Sequence, residues 1–253
     1  VNPSERNIRI IVNYDGTAFA GWQYQPDQRT VQGELCRAIK RVTGNDVNLL
    51  AAGRTDAGVH ALGQVANFRI EHSLPAERFE PAVNSYLDDD IRVLESTEVS
   101  LDFHARFDAK EKRYRYLIGR RQSAVFRNQR WFMSDPVDFD RLQQAAGLVS
   151  GEHDFSAFCV TGSLKEDNHC RIRFSRWFRY GDLLIYEIRG NRFLHHMVRS
   201  LVGGMVNLAE IDQDNNRDNL TIERFADIIT SPENERNVFT APARGLYLVS
   251  VRY

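Results

Sequence analysis

The sequence predicts an α+β fold of two halves, each running strand, helix, strand, strand, helix, strand. Three observations predict it. Several short runs alternate apolar and polar residues, as a half-buried strand does, while others repeat apolar residues every three or four positions, as a helix does. The two kinds of run follow one another in nearly the same order twice along 253 residues. A hydrophobic content of 42% supplies a core for one large domain or two ordinary ones. The halves are residues 1–104 and 105–253.

In the first half, Ile8, Ile10, Val12 and Tyr14 fall on one face of a strand, and Asp15-Gly16-Thr17 turns the chain. Phe19, Trp22 and Tyr24 stand in a loop rich in Gln and Gly. Thr30 has the character of an N-cap and Glu34 follows early, so a helix starts there. Val31, Leu35, Ala38, Ile39 and Val42 make its apolar stripe, and Gly44-Asn45 ends it. A strand over 47–51, a polar loop over 53–58 and a strand over 64–70 come next. Pro75 opens a second helix with Phe79, Val83, Tyr86 and Leu87 inward. Residues 91–99 make the last strand of this half.

In the second half, Tyr114, Tyr116 and Ile118 share a face of a strand over 112–118. Residues 139–149 are a helix with Leu142, Ala145, Ala146 and Val149 on its apolar side. The segment 151–158 is a loop or a short helix start. Runs 170–180 and 183–189 pair as a hairpin about Gly181-Asp182. Residues 193–208 form a strongly apolar helix, 222–229 a shorter one and 246–253 a closing strand. Each half thus has the β-α-β-β-α-β order of ferredoxin-like and RRM-like units, the second with an extra helix. Joined edge to edge, they would form one extended antiparallel sheet with helices on one side. The cleft between them is a natural place for a ligand.

A formal net charge of −1 conceals segregation. Residues 104–130 hold nine Lys or Arg against two acids, and residues 171–199 hold seven Arg against two acids. The acids gather in Asp88-Asp89-Asp90 and over 210–235. Such blocks suit a protein with one basic face. The only lysines are Lys40, Lys110, Lys112 and Lys165. Arginine, unlike lysine, forks onto phosphate and stacks on bases. The apolar runs fall far short of a membrane span, and the first residues carry no apolar signal core, so a cytoplasmic protein is expected. Cys36, Cys159 and Cys170 are widely spaced and read as reduced thiols. Cys159, His169 and Cys170 lack zinc-site spacing. The Asn-Leu-Thr triplet at Asn219 reads as a chance sequon.

Asp56 lies in G-R-T-D-A-G, between glycines that admit backbone angles other residues avoid. An acid in such a loop is ordinarily structural and tightens the turn. Functionally, a carboxylate is a nucleophile, a base or a metal ligand. Arg54, two residues away, would repel a cation, so no metal is expected. Arg199 falls on the apolar 193–208 helix, where a guanidinium needs an anionic partner, structural or functional. Tyr114 alternates with Arg113 and Arg115. That pattern provides rings for bases and guanidinium for phosphate, or is ordinary strand patterning. Phe103-His104-Ala105-Arg106-Phe107 sets cations between aromatics. His195 and His196, adjacent on the same expected helix, point to different faces. His153-Asp154 lacks the further ligands of a metal phosphohydrolase. No Ser-His-Asp set, dinucleotide fingerprint or kinase set occurs, and no cofactor is expected.

Eight segments, in order, resemble the tRNA pseudouridine synthase A family. They are Y-D-G-T-A-F-A-G-W-Q at 14–23, T-V-Q-G-E-L at 30–35, G-R-T-D-A-G-V-H-A at 53–61 and F-H-A-R-F at 103–107. K-R-Y-R-Y at 112–116, G-E-H-D-F-S-A-F at 151–158, H-H-M-V-R at 195–199 and A-P-A-R-G-L-Y-L at 241–248 complete the set. The resemblance implies isomerisation of uridine to pseudouridine in the anticodon stem-loop of tRNA, at positions 38–40, by a homodimer with an RNA-binding cleft. It makes Asp56 the nucleophile, Tyr114 the active-site tyrosine and Arg199 the partner of the nucleophile. It links Arg54 to flipping of the target base and places Phe103, His104, Arg106 and Phe107 in an RNA-contact segment. Segment 159–170 shows no clear family pattern. Two alternatives stay open: a synthase of this fold acting on other RNA uridines, and a non-catalytic RNA-binding protein.

Overall fold

A computed structural model describes residues 4–211, 220–230 and 239–253. Asn219 and five of the clustered acids (Asp212, Asp214, Asp218, Glu233 and Glu235) lie outside the described residues. Contacts divide the chain into two compact units, Val1–Lys110 with Tyr247–Tyr253, and Glu111–Leu246. The elements up to the division are β1 (Glu5–Tyr14), α1 (Val31–Thr43), β2 (Leu50–Ala51), β3 (His60–Glu71), α2 (Phe79–Asn84) and β4 (Ile91–Val99). Those after it are β5 (Glu111–Gly119), β6 (Trp131–Phe132), α3 (Phe139–Val149), β7 (Gly151–Asp154), β8 (His169–Tyr180), β9 (Leu183–Gly190), α4 (Met197–Ala209), α5 (Ile222–Thr230) and β10 (Leu246–Arg252). No described helix is long and apolar enough to cross a membrane.

In the first unit the strands lie in the order β4-β1-β3-β2. Ile8, Ile10, Val12 and Tyr14 alternate into a core with Leu35, Ile39, Phe79 and Val83. Phe68, opposite Ile8, meets Phe79 edge-on at 5.6 Å. The other face of the sheet carries a second apolar group of Ala52, Val65 and Ala105, with Ile11, Phe103, Val251 and Tyr253 against it. The capping signals of α1 act as read. Thr30 Oγ1 accepts the Gly33 N–H at 3.2 Å, and Gly44 leaves the helix at φ +77°. The Asp88-Asp89-Asp90 run is spent on ion pairs: Asp88 and Asp90 hold Arg29, and Asp89 holds Arg92.

Three expectations for this unit are corrected. The second strand is only Leu50–Ala51, and the third starts at His60, four residues before the expected start. Tyr86 is not inward but 49% exposed, under the Arg41 guanidinium. The reason is Asn84, whose side chain donates to Val93 O and accepts from Val93 N–H, both at 2.8 Å, and so ties the helix end to β4. The closing strand, counted with the second half from sequence, pairs with β3 in the first unit. It runs parallel, with Tyr247 opposite His60 and Leu248 opposite Ala61, so pairing is not wholly antiparallel. No hairpin joins these two strands, and only a hairpin imposes the antiparallel sense.

In the second unit the order is β5-β9-β8-β7, with β6 parallel to β5. The run β5-β9-β8 follows the same pattern as β1-β3-β2. Tyr114, Tyr116 and Ile118 face the helices, as do Leu184, Tyr186 and Ile188. Trp177 is fully buried, 5.1 Å from the Tyr186 ring. A bulge between Ile172 and Phe174 lets both Ile172 and Trp177 point inward, although their spacing is odd. The segment after α3 begins as a strand, β7, rather than a loop or helix.

Two helical glycines separate propensity from packing. A Cβ on Gly203 in α4 would lie 1.8 Å from Phe239 O, whereas one on Gly147 in α3 meets nothing within 4 Å. Gly147→Ala is expected to raise unfolding free energy by about 0.5–1 kcal/mol. Gly203→Ala should lower it by about 2 kcal/mol despite the same gain in propensity. Urea denaturation of both variants measures the difference.

Candidate active site

The first unit presents Asp56 on a loop between β2 and β3. Ala52 N–H donates to Val65 O at 2.8 Å, and the Gln64 side chain donates to Gly53 O at 2.7 Å, which closes the loop at its base. Thr55 is buried. Its Oγ1 is 2.8 Å from the Tyr14 hydroxyl, and its carbonyl accepts the Trp22 N–H at 3.0 Å. Val59 N–H donates to Asp56 O at 3.2 Å. Gly21, at φ +98°, passes so close that a Cβ there would lie 2.8 Å from Thr55 O and 3.2 Å from Ala57 N. Gly16 is packed in the same way against Val59 O, and its N–H donates to His60 Nδ1 at 3.0 Å. The segment over 14–23 is therefore the mount of the Asp56 loop. With Thr55 inward, Asp56 is half-buried and Arg54 is exposed. Burial pushes the Tyr14 phenol well above its ordinary range, so it stays a neutral hydroxyl.

The segment over 103–107 belongs to the same unit. Asn7 Nδ2 donates to Phe103 O and Ala105 N–H donates to Asn67 Oδ1, both at 2.9 Å, and Tyr253 OH donates to Ala105 O at 2.8 Å. Phe103 packs its ring 4.9 Å from Tyr253, within the second apolar group. Phe107 is 73% exposed, with the His104 ring at 4.3 Å and the Arg106 guanidinium at 5.6 Å. Phe103 thus anchors the segment, and its neighbours present a cation-flanked ring.

The second unit carries Tyr114 and Arg199. Tyr114 is 7% exposed and meets Phe193 edge-on at 5.0 Å. The helix bearing Arg199 begins at Met197, not 193. His196 is its N-cap at φ +66°, a left-handed conformation that stops the helix from extending backwards. The His195 carbonyl accepts Val160 N–H at 3.3 Å, and its Nδ1 lies 2.9 Å from Ser163 Oγ. His195 and His196 therefore precede the helix instead of lying on two of its faces. Arg199 sits in the first turn of α4. Its Nε donates to Ala241 O at 2.9 Å, while Ala241 N–H donates to Arg199 O at 3.1 Å. Next door, Tyr116 OH donates to Pro242 O at 2.7 Å. Burial raises the Tyr116 phenol strongly, against the opposing fields of Arg199 and Arg244.

Gly21 and Glu187 escaped the sequence reading. Gly21 had a signal in its motif, but the partner it approaches lies more than thirty residues on. Glu187 counted only as one acid in a basic block. It is 3% exposed on the sheet face away from the helices, opposite Arg115 on β5 and Arg176 on β8. Arg115 Nε reaches it at 2.8 Å, Arg189 Nε at 2.9 Å, and Arg113 also bonds it. Burial would raise this carboxyl, but the three arginines outweigh it and hold it at about 2, below its ordinary 4.5.

Residues 10–108 and 145–253 match the family model for tRNA pseudouridine synthase. The tRNA pseudouridine synthase A of Acetivibrio thermocellus is 45% identical over 252 residues, covering 98% of this chain and 100% of that one. That of Thermoanaerobacter sp. is 43% identical over 252 residues, covering 98% and 100%. That of Moorella thermoacetica is 41% identical over 250 residues, covering 97% and 99%. Tyr114 lies in the stretch that the family model leaves out.

Gly21→Ala is expected to displace the Asp56 loop while the unit stays folded. Hydrogen exchange at the Trp22 amide, which bonds Thr55 O, should speed up at least roughly tenfold. Glu187 has a folded pKa below its unfolded one. Its contribution to stability is therefore full above about pH 4.5 and lost as pH falls towards 2. Glu187→Gln should cost about 2 kcal/mol at pH 7, with the gap to wild type closing over that window in melting curves.

Proposed function

The chain belongs to the tRNA pseudouridine synthase A family, and on that premise we propose that it converts uridine to pseudouridine in the anticodon stem-loop of tRNA, at positions 38–40. In this reaction the N1–C1′ bond of the uridine breaks, the uracil turns, and C5 bonds to C1′. C5 loses its proton and the freed N1 gains one, so atoms balance without any second substrate. In our reading Asp56 is the catalytic carboxylate, attacking C1′ or the base or assisting formation of a glycal intermediate. Arg199 is the charge that keeps it ionised. An arginine in the first turn of α4 adds to the positive end of the helix dipole, which suits a site for an anion. Tyr114 stacks on the flipped base and assists removal of the C5 proton. Arg54, exposed beside Asp56, helps turn the base out, and His104, Arg106 and Phe107 contact RNA.

The observation that carries this reading is the clamped G-R-T-D loop. Its mount forces Thr55 inward, and a loop that needed Asp56 only as a turn former would not require Gly21 at contact distance. We also propose that the two units share one ferredoxin-like plan, which their matching strand orders support. The homodimer rests on the sequence resemblance, and the cytoplasmic location on the tRNA substrate and the reading of the cysteines as reduced thiols.

Unmodified tRNA carrying tritium at uridine C5 tests the proposal. The wild-type chain should release tritium, and carbodiimide-blocked primer extension should map the product to the anticodon arm. Asp56→Asn is expected to cut release by at least about 10³-fold while tRNA affinity changes less than about threefold. Equal release by the variant would remove Asp56 from the chemistry. Stops confined to other arms would favour the reading with other target uridines, and binding without release would favour the RNA-binding one.

A further inference from the structure

The loop between β5 and β6 walls a cavity of about 410 Å³ that contains none of the residues assigned to the reaction. Its lining includes Arg121, Arg127, Arg130 and Arg244 and, among the described residues, no acid. The loop is closed at its base, because β6 returns to pair with β5, Ile118 opposite Trp131 and Gly119 opposite Phe132. Met133 N–H donates to Gly119 O at 3.1 Å, and Arg120 Nη2 donates to Ser134 O at 3.0 Å. Within the loop, Ser123 Oγ accepts Phe126 N–H at 3.2 Å and Arg127 Nη1 donates to Ala124 O at 2.7 Å. The Arg130 guanidinium lies 3.9 Å from the centre of the Phe126 ring. Arg244 arrives from a short 3-10 turn, Ala243–Gly245. That turn is fixed from inside the unit, since a Cβ on Gly245 would lie 2.5 Å from the Tyr116 ring.

The guanidinium groups of Arg121, Arg127 and Arg130, gathered on one loop, repel one another, and an anion between them relieves the field. Guanidinium forks match the paired oxygens of a phosphate, and aromatic rings beneath them suit an attached sugar or base. A cavity of this size takes a nucleotide-sized group. We propose that it binds a backbone phosphodiester of the tRNA, as a contact separate from the residues that carry the chemistry. This inference rests on the reading of the chain as a tRNA-modifying enzyme. The loop lies within 109–144, the stretch the family model leaves out, whereas Arg244 comes from the matched stretch 145–253.

The test measures binding of an unmodified tRNA transcript at several salt concentrations, by filter retention, for three proteins. These are wild type, the double variant Arg121→Ala with Arg127→Ala, and the charge-keeping Arg121→Lys with Arg127→Lys. Both residues are exposed, so the unit should melt as wild type does. The alanine variant is expected to bind about tenfold more weakly near 100 mM salt. Its slope of log affinity against log salt should be shallower by about one to two. The lysine variant should recover most of that slope. A wild-type affinity and slope in the alanine variant would overturn the proposal. So would a melting-temperature rise with inorganic phosphate that needs these arginines while the tRNA slope does not, since that marks a site for free anion. Tritium release by wild type, measured alongside, separates the two levels. Release with an unchanged slope sinks only the cavity, whereas neither release nor tRNA binding by wild type sinks the enzymatic reading and the cavity with it.

Discussion

The close approach of Gly21 to the backbone of Thr55 and Ala57 is the constraint on which the rest of the site depends. It leaves no room for a side chain, and it needs a positive φ that only glycine adopts without strain. Once the two loops touch, the Trp22 amide takes the Thr55 carbonyl and the Tyr14 hydroxyl takes the Thr55 side chain. Each of these groups would be costly to bury without a partner. The reciprocal satisfaction holds one loop conformation in place of many. Asp56 therefore owes its half-buried position to the packing of Tyr14, Gly21 and Trp22 against its loop.

The second unit handles charge by a different rule. Glu187 is a buried acid satisfied by Arg113 and Arg115 on the neighbouring β5 and by Arg189 on its own strand, so the basic block is partly self-neutralised on that sheet face. Arg199 is instead tied through its backbone and its Nε to Ala241, which fixes the direction of the guanidinium. The arginines of the β5–β6 cavity have no acid among the described residues that line it. A formal charge of −1 averages over these three situations and describes none of them.

Much of the fold was legible because local chemistry and tertiary contacts agree. Thr30 and Gly44 bound α1 as caps do everywhere, and 91–99 and 139–149 form the strand and the helix expected of them. The misreadings have physical causes. Phe193 to His196 is apolar enough to continue a helical pattern, yet the left-handed His196 and the bonds from Val160 and Ser163 hold it outside α4. Tyr86 has helical spacing, but Asn84 bonds β4 and ends the helix before it. Phe103 reads like Phe107 in a string of letters, and contacts from Asn7, Val65 and Tyr253, all distant along the chain, make it an anchor.

By itself the sequence determined most element types, the caps of α1, the segregation of charge and the motif residues Asp56, Tyr114 and Arg199, because these follow from side-chain chemistry at fixed local spacing. Tertiary structure alone decided that the Tyr14–Trp22 region is the mount of the Asp56 loop, that β10 runs parallel to β3, and that Arg244 shares a cavity with Arg121, Arg127 and Arg130. Each of these joins residues far apart along the chain. Such pairings are set by which surfaces fit and which buried polar groups find partners, and no local period in a sequence records that.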